Sequence, residues 1–206
     1  LWENNKTLHV GTNKGLWSWN GSWKLLDGTD GISIRQITKG KDKDIWLATS
    51  DGIFRRRNGE WLNLNDFVMA PGMKRDYLSI TNGALAEDVI FGSPFAVAQI
   101  SEEGKHWTYT KEDGLPYGPI TSIHYSENEL WLGTPKGAIK KSKGWHYYHG
   151  KRWLPDNQIN DIIRIDPNTV WIATPQGISE IKNIEITLAQ KSKRFNQRLN
   201  ERHLHH

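Results

Sequence analysis

One five-residue block returns five times along the chain. It reads Leu8-His9-Val10-Gly11-Thr12, Ile45-Trp46-Leu47-Ala48-Thr49, Val89-Ile90-Phe91-Gly92-Ser93, Leu130-Trp131-Leu132-Gly133-Thr134 and Val170-Trp171-Ile172-Ala173-Thr174. The small fourth residue recurs at intervals of 37, 44, 41 and 40 residues. Four positions beyond it stands Gly15, Gly52, Ala96, Gly137 or Gly177. A second aromatic follows as Trp23, Trp61, Trp107 and Trp145, and an apolar pair precedes every block but the first: Ile34/Ile37, Tyr77/Ile80, Ile120/Ile123 and Ile159/Ile162. Features that recur together at nearly fixed offsets specify a repeat array. In such an array each unit is too small to bury its apolar faces alone and must stack on its neighbours.

Each unit reads as four strands, A to D. The apolar pair forms strand A, closed by polar turns such as residues 41–44 and 126–129. The recurring block is strand B, rich in β-branched and aromatic residues. The links Thr49-Ser50-Asp51-Gly52, Thr134-Pro135-Lys136-Gly137 and Thr174-Pro175-Gln176-Gly177 suit tight hairpins. Pro sets φ early in such a turn, and Gly supplies the positive φ at its exit. Strand C follows, as in Ile53-Phe54-Arg55-Arg56-Arg57, and strand D ends the unit, as in Glu60-Trp61-Leu62-Asn63-Leu64.

About forty residues per four-stranded antiparallel unit is the signature of a β-propeller. The expected fold is all-β: a propeller of about five four-stranded blades, the first incomplete, followed by a C-terminal α-helix. Small residues in strand B permit close approach, and Trp46, Trp131 and Trp171 are expected to fill the space between blades.

The pattern resembles the two-component regulator propeller repeat, whose units read roughly "lWiGT-x-x-Gl-x-r". The matching segments are 130–137, 45–52 and 170–177. The inter-blade element "DGLP-x-x-x-I" is matched by Asp113-Gly114-Leu115-Pro116-Tyr117-Gly118-Pro119-Ile120, with an echo at Leu154-Pro155-Asp156-Asn157-Gln158-Ile159. The resemblance covers about residues 5–185, and the third unit departs most, with Ile90 for Trp and Ala96 for Gly. It implies a sensor region of a bacterial hybrid signalling protein, often carbohydrate-responsive, or an accessory region of another secreted protein. The location it implies is periplasmic or extracellular.

The ends of the chain set the domain boundaries, with a propeller over 1–186 and a helix or linker over 187–206. The first unit starts at strand B, and residues 1–5 are too few to supply its strand A, so upstream sequence or another segment is expected to fill that edge. In the fifth unit residues 183–186 occupy the strand D slot, with Glu185 where the other units carry Trp. Thr187 and Gln190 then form a capping box, opening a helix over about 188–203 with Leu188, Phe195 and Leu199 on one stripe. This helix is expected to pack on the propeller or lead to a further domain of the same parent protein. His203, His205 and His206 read as a tag or linker remnant.

Charge excludes one class of function. The net charge is +4, and Lys191, Lys193, Arg194, Arg198 and Arg202 against Glu201 already supply it, so the repeats are neutral overall. Nucleic-acid binders spread a basic stripe over the folded surface, and no nucleic-acid partner is expected here. Arg55-Arg56-Arg57 and Lys140-Lys141 are expected to be solvated strand faces. No apolar run reaches the ~18–20 residues that span a bilayer. The chain has 0 cysteines, which removes disulfides and Cys-ligated metals.

Chemistry is sparse. No Walker loop, dinucleotide fingerprint, nucleophile elbow or His-Glu-x-x-His helix is present, so no catalytic residue, metal ligand or cofactor is assigned. Trp145-His146-Tyr147-Tyr148-His149-Gly150 is the densest cluster, but alternation along a strand separates neighbouring side chains, and strand D lies far from the axis. Topology offers a binding face instead, because B–C turns and D–A links emerge on the same side of antiparallel blades. Gathered there are Asp51, Lys136, Asp113, Tyr117, Arg152 and Trp153, besides the long apolar link 65–75. Aromatic plates beside charged groups suit a pyranose, with its apolar face and many hydroxyls. These six residues are the expected ligand site, for a glycan or other small molecule. The leading reading is a non-catalytic ligand-binding or sensor module. The alternative is an accessory or scaffold propeller of a larger secreted carbohydrate-active enzyme.

Overall fold

The Thr-x-x-Gly link that recurs in the sequence is a hydroxyl-closed hairpin. Thr12, Thr49, Thr134 and Thr174 each donate from Oγ1 to the carbonyl three residues on, at 2.8–2.9 Å. The glycines that end these turns have φ between +125° and +141°, a region closed to most side chains. The third unit reaches the same turn without glycine. Ser93 Oγ donates to the Ala96 carbonyl at 3.2 Å and accepts the Ala96 N–H at 3.0 Å.

These hairpins organise a computed structural model that describes residues 2–4, 7–40, 44–64, 77–83, 88–100, 106–115, 118–126, 129–182 and 192. Five antiparallel sheets follow one another along the chain. The first comprises β1 (Trp2–Asn4), β2 (Thr7–Thr12), β3 (Gly15–Trp19) and β4 (Trp23–Leu25). The second comprises β5 (Ile34–Lys39), β6 (Ile45–Thr49), β7 (Gly52–Arg57) and β8 (Glu60–Asn63). The third holds β9 (Ser79–Asn82), β10 (Val89–Gly92), β11 (Val97–Ile100) and β12 (His106–Tyr109). The fourth holds β13 (Ser122–Ser126), β14 (Glu129–Thr134), β15 (Gly137–Lys141) and β16 (Trp145–Tyr148). The fifth holds β17 (Asp161–Asp166), β18 (Thr169–Thr174) and β19 (Gly177–Lys182). Strand order within each sheet follows sequence order, and inner strands of successive sheets from the second to the fifth lie side by side.

The expectation of an incomplete first blade is corrected. β1 pairs with β2 in register Trp2↔His9, Glu3↔Leu8 and Asn4↔Thr7, so the first sheet has four strands. Three residues suffice, because an antiparallel partner needs only a short turn and a few ladder bonds to cover an exposed edge. The strand D slot of the fifth unit, the link 65–75 and, apart from Ser192, the expected helix over 188–203 lie outside the described residues.

Blades join through one repeated contact. The Ile159 N–H donates to the Thr134 carbonyl of the preceding blade at 3.0 Å, as Ile120 does to Ser93 at 3.2 Å and Tyr77 to Thr49 at 3.0 Å. The same isoleucines fill the slot left by the small strand B residue. A Cβ added to Gly11, Gly92 or Gly133 would lie 2.6–2.7 Å from Cγ2 of Ile34, Ile120 or Ile159. Trp46 and Trp131 are buried beside those slots. Trp171 departs from its two counterparts: it is exposed, because no sheet packs on that face of the fifth blade among the described residues.

A second seam runs at the rim. Trp61 Nε1 donates to the Asp27 carbonyl at 2.8 Å, and Trp145 Nε1 to the Asp113 carbonyl at 2.7 Å. Each indole lies over the glycine that follows, Gly28 and Gly114, both at positive φ. The Asp-Gly link into a blade is thus clamped by that blade's own strand D tryptophan. The basic runs are solvated only in part: Arg57 is exposed, whereas Arg55 and Lys140 are drawn in by acids. Arg55 and Arg57 meet the buried Asp44 at 2.6 and 2.9 Å, and buried Lys140 meets Glu129 at 2.6 Å. Extended strands place these charges opposite an acid at the A–B end, so they are internally paired.

Replacing a buried inter-blade indole removes its contacts and leaves a cavity. Trp131→Ala is expected to lower unfolding free energy by about 3–5 kcal/mol, and Trp171→Ala by less than about 1 kcal/mol. Urea denaturation followed by circular dichroism measures both.

Candidate functional site

At the B–C end of the fourth blade, the turn Thr134–Gly137 and the end of β16 enclose a concavity of about 280 Å³. Its walls include Lys136, Tyr147, Tyr148 and His149, with Ala138 and Ile139 beneath. The register explains the gathering. Ala138 pairs with Tyr148 and Ile139 with Tyr147, so the end of strand D lies beside the start of strand C. Gly137 admits the chain here, since a Cβ would collide with the Tyr148 carbonyl oxygen.

Three aromatic rings form a continuous wall from the core outward. Tyr148 stacks on buried Trp131, with centroids 5.2 Å apart and planes at 29°. Trp153 meets Tyr148 edge-on at 5.3 Å, and the Arg152 guanidinium lies 5.1 Å from the Trp153 ring centre. The loop that carries them is pinned. Trp153 N–H donates to the Gly150 carbonyl at 3.0 Å, and Ser179 Oγ donates to the Trp153 carbonyl at 2.7 Å. Asn157 Oδ1 accepts from Gly150 N–H at 2.6 Å, and Gln176 Nε2 donates to Asp156 at 3.0 Å. The exposed face of Trp153 is therefore presented on a held backbone, the arrangement a stacking ligand requires.

The six expected site residues separate. Lys136 lines the concavity; Trp153 and Arg152 lie outside its lining, Trp153 against the wall residue Tyr148 and Arg152 over the Trp153 ring. Asp113 is engaged elsewhere: its carboxylate accepts the Thr110 N–H at 2.9 Å and the Thr110 hydroxyl at 3.2 Å in a capping box. Asp51 sits exposed in the second blade's B–C turn, its N–H donating to Thr49 Oγ1 at 3.0 Å. Tyr117 lies outside the described residues. Tyr147, Tyr148 and His149 were passed over in the sequence because strand D was placed far from any site. A four-residue strand paired to β15 nevertheless ends at the level of the B–C turn, and that spacing was readable.

The polar groups are differently poised. Burial, with Glu129 nearby, raises the Tyr148 phenol above its usual value, so it stays protonated and can donate. Tyr147 Oη donates to the Gly114 carbonyl at 2.7 Å. A second groove, about 250 Å³, lies between the first and second sheets and is lined by His9, Lys24, Asp27 and Arg56. His9 is held below the usual imidazole range by burial and then by Arg56. His124, on β13, is lowered by burial and then by Arg164. Among the described residues, no group of three or more His, Asp or Glu side chains is placed to hold a metal ion.

No family model and no curated protein matches this sequence. Solved structures do share its fold. The extracellular domain of the hybrid two-component system BT3049 from B. thetaiotaomicron aligns with TM-score 0.72 and 19% identity, covering 87% of this chain and 26% of that one. The extracellular domain of BT4673 from the same organism aligns with TM-score 0.70 and 20% identity, covering 86% and 26%. An ancestral GH74 enzyme, AFV00434, aligns with TM-score 0.60 and 14% identity, covering 81% and 25%. This chain therefore spans about a quarter of each of those three chains.

Both histidines have folded-state pKa values below that of the unfolded chain, about 6.5. The unfolded state then binds more protons, and stability rises with pH through this range. The contribution is fully present above pH ~6.5 and is lost as pH falls below it. Urea midpoints between pH 7.5 and 5 are expected to fall with acidification. The slope should flatten in His9→Asn/His124→Asn.

Proposed function

We propose that this chain is a non-catalytic ligand-binding segment of an extracytoplasmic sensor, with a saccharide as the ligand class. The observation that carries the reading is the Trp153–Tyr148–Trp131 wall ending in an exposed indole, with Arg152 against that indole and Lys136 in the concavity that Tyr148 lines. A pyranose ring can lay its C–H face on Trp153 while its hydroxyls meet the Arg152 and Lys136 donors. Tyr117, on the D–A link that enters this blade, belongs to the proposed site. The sensor role and location outside the cytoplasm draw on the two extracellular domains of similar fold, and fold alone does not carry function.

Asp51 and Asp113 leave the site in this reading, one by distance along the array and one by its capping role. A second reading is favoured by the GH74 likeness: an accessory blade array in a larger secreted carbohydrate-active enzyme. The two readings share the ligand class and differ in what the parent polypeptide does with it.

Glycan-array binding followed by calorimetry tests the site. Trp153→Ala is expected to weaken saccharide binding at least tenfold, about 1.4 kcal/mol, with smaller losses for Lys136→Ala and Tyr117→Ala. Asp51→Ala should bind like the parent chain. Absence of binding to every saccharide sinks the proposal, and product release from a polysaccharide would convert the chain into an enzyme.

A further inference from the structure

The fifth blade carries an apolar face that its counterparts bury. Ile178 is 64% exposed, whereas Ile53, at the same place in the second blade, is 0% exposed. Trp171 is 41% exposed against 1% for Trp131. Ile163, paired with Trp171 across the β17–β18 ladder, is exposed on the same side. The surface is not disordered in arrangement: Trp171 Nε1 donates to Glu180 at 3.2 Å, and Glu180 meets Lys182 at 2.7 Å. At the other end of the array, the first sheet exposes Trp19 and Trp23, their rings 5.3 Å apart.

We infer that the Ile163–Trp171–Ile178 face is the docking surface for a further blade of the same repeat, supplied by sequence outside this chain. The slot and the backbone acceptor of the blade-to-blade contact are both present on its receiving side. Ala173 holds the slot that Gly92 and Gly133 hold, and the Thr174 carbonyl occupies the place from which Ser93 and Thr134 accept an incoming isoleucine N–H. The partner is thus a four-stranded sheet leading with an apolar β-branched residue on its inner strand. Among the described residues, the exposed faces at both ends leave the five-blade array open. Propellers close with about 4–8 blades, so one to three more fit, whereas two copies of this chain would make ten.

The absence of native cysteine permits a direct test. Ile178→Cys and Ile163→Cys report this face, and Ala138→Cys reports an occupied one. In the isolated chain the first two should react with a thiol reagent as fast as an exposed control, and the third at least a hundredfold slower. Fusing a copy of residues 118–157 to the C-terminus through a flexible linker should slow both face cysteines at least tenfold and give the added strands amide-exchange protection. Unchanged labelling in the fusion, or an added repeat that gains no amide protection, overturns the inference. So does protection in the isolated chain: independent of concentration it means the chain covers itself, and rising with concentration it means a second copy does. A separate variant needs no fusion. Trp171→Lys/Ile178→Lys should keep the urea midpoint of the isolated chain and reduce binding of an apolar dye, and a lost midpoint counts against an uncovered face.

Discussion

Everything in this structure depends on one contact: a β-branched or aromatic residue of one blade seated against a glycine or alanine of the blade before it. The slot exists because strand B carries no larger side chain there. It is locked by a backbone bond from the residue that fills it, as in Ile159 to Thr134. That pairing brings two sheets close enough for Trp46 and Trp131 to be sealed between them. Since each sheet has two apolar faces and no more than four short strands among the described residues, radial repetition is what covers them.

The same contact positions the candidate site. Stacking of the fourth and fifth blades buries Trp131, which backs Tyr148, which in turn supports Trp153 on the loop crossing to the fifth blade. Ser179 of that blade holds the loop backbone. A binding wall is therefore an extension of the core, and its rigidity comes from inter-blade packing rather than from the loop itself.

Much of this was legible in residue spacing. The small-residue slots, the Thr-x-x-Gly hairpins and the Asp-Gly links all leave a mark at fixed offsets, because each demands a particular side-chain size or a positive φ. Other features were not legible. Three residues at the N-terminus form an inner strand, since pairing to β2 outweighs their brevity. The Asp113 carboxylate accepts from the N-cap residue Thr110 in a capping box, a contact not read from the sequence. Two of the three arginines, Arg55 and Arg57, meet Asp44, a partner 11 residues from Arg55 and buried in the folded sheet.

By itself the sequence determined the repeat, the four-strand unit and the all-β propeller architecture, because periodic size and turn constraints are local and survive without coordinates. Only the tertiary structure decided which apolar residues are covered and which functional groups meet. Trp46, Trp131 and Trp171 are near-identical in local sequence, yet two are buried and one is exposed. Burial belongs to the neighbour that stacks on a face, and a strand's own residues do not encode whether that neighbour is there.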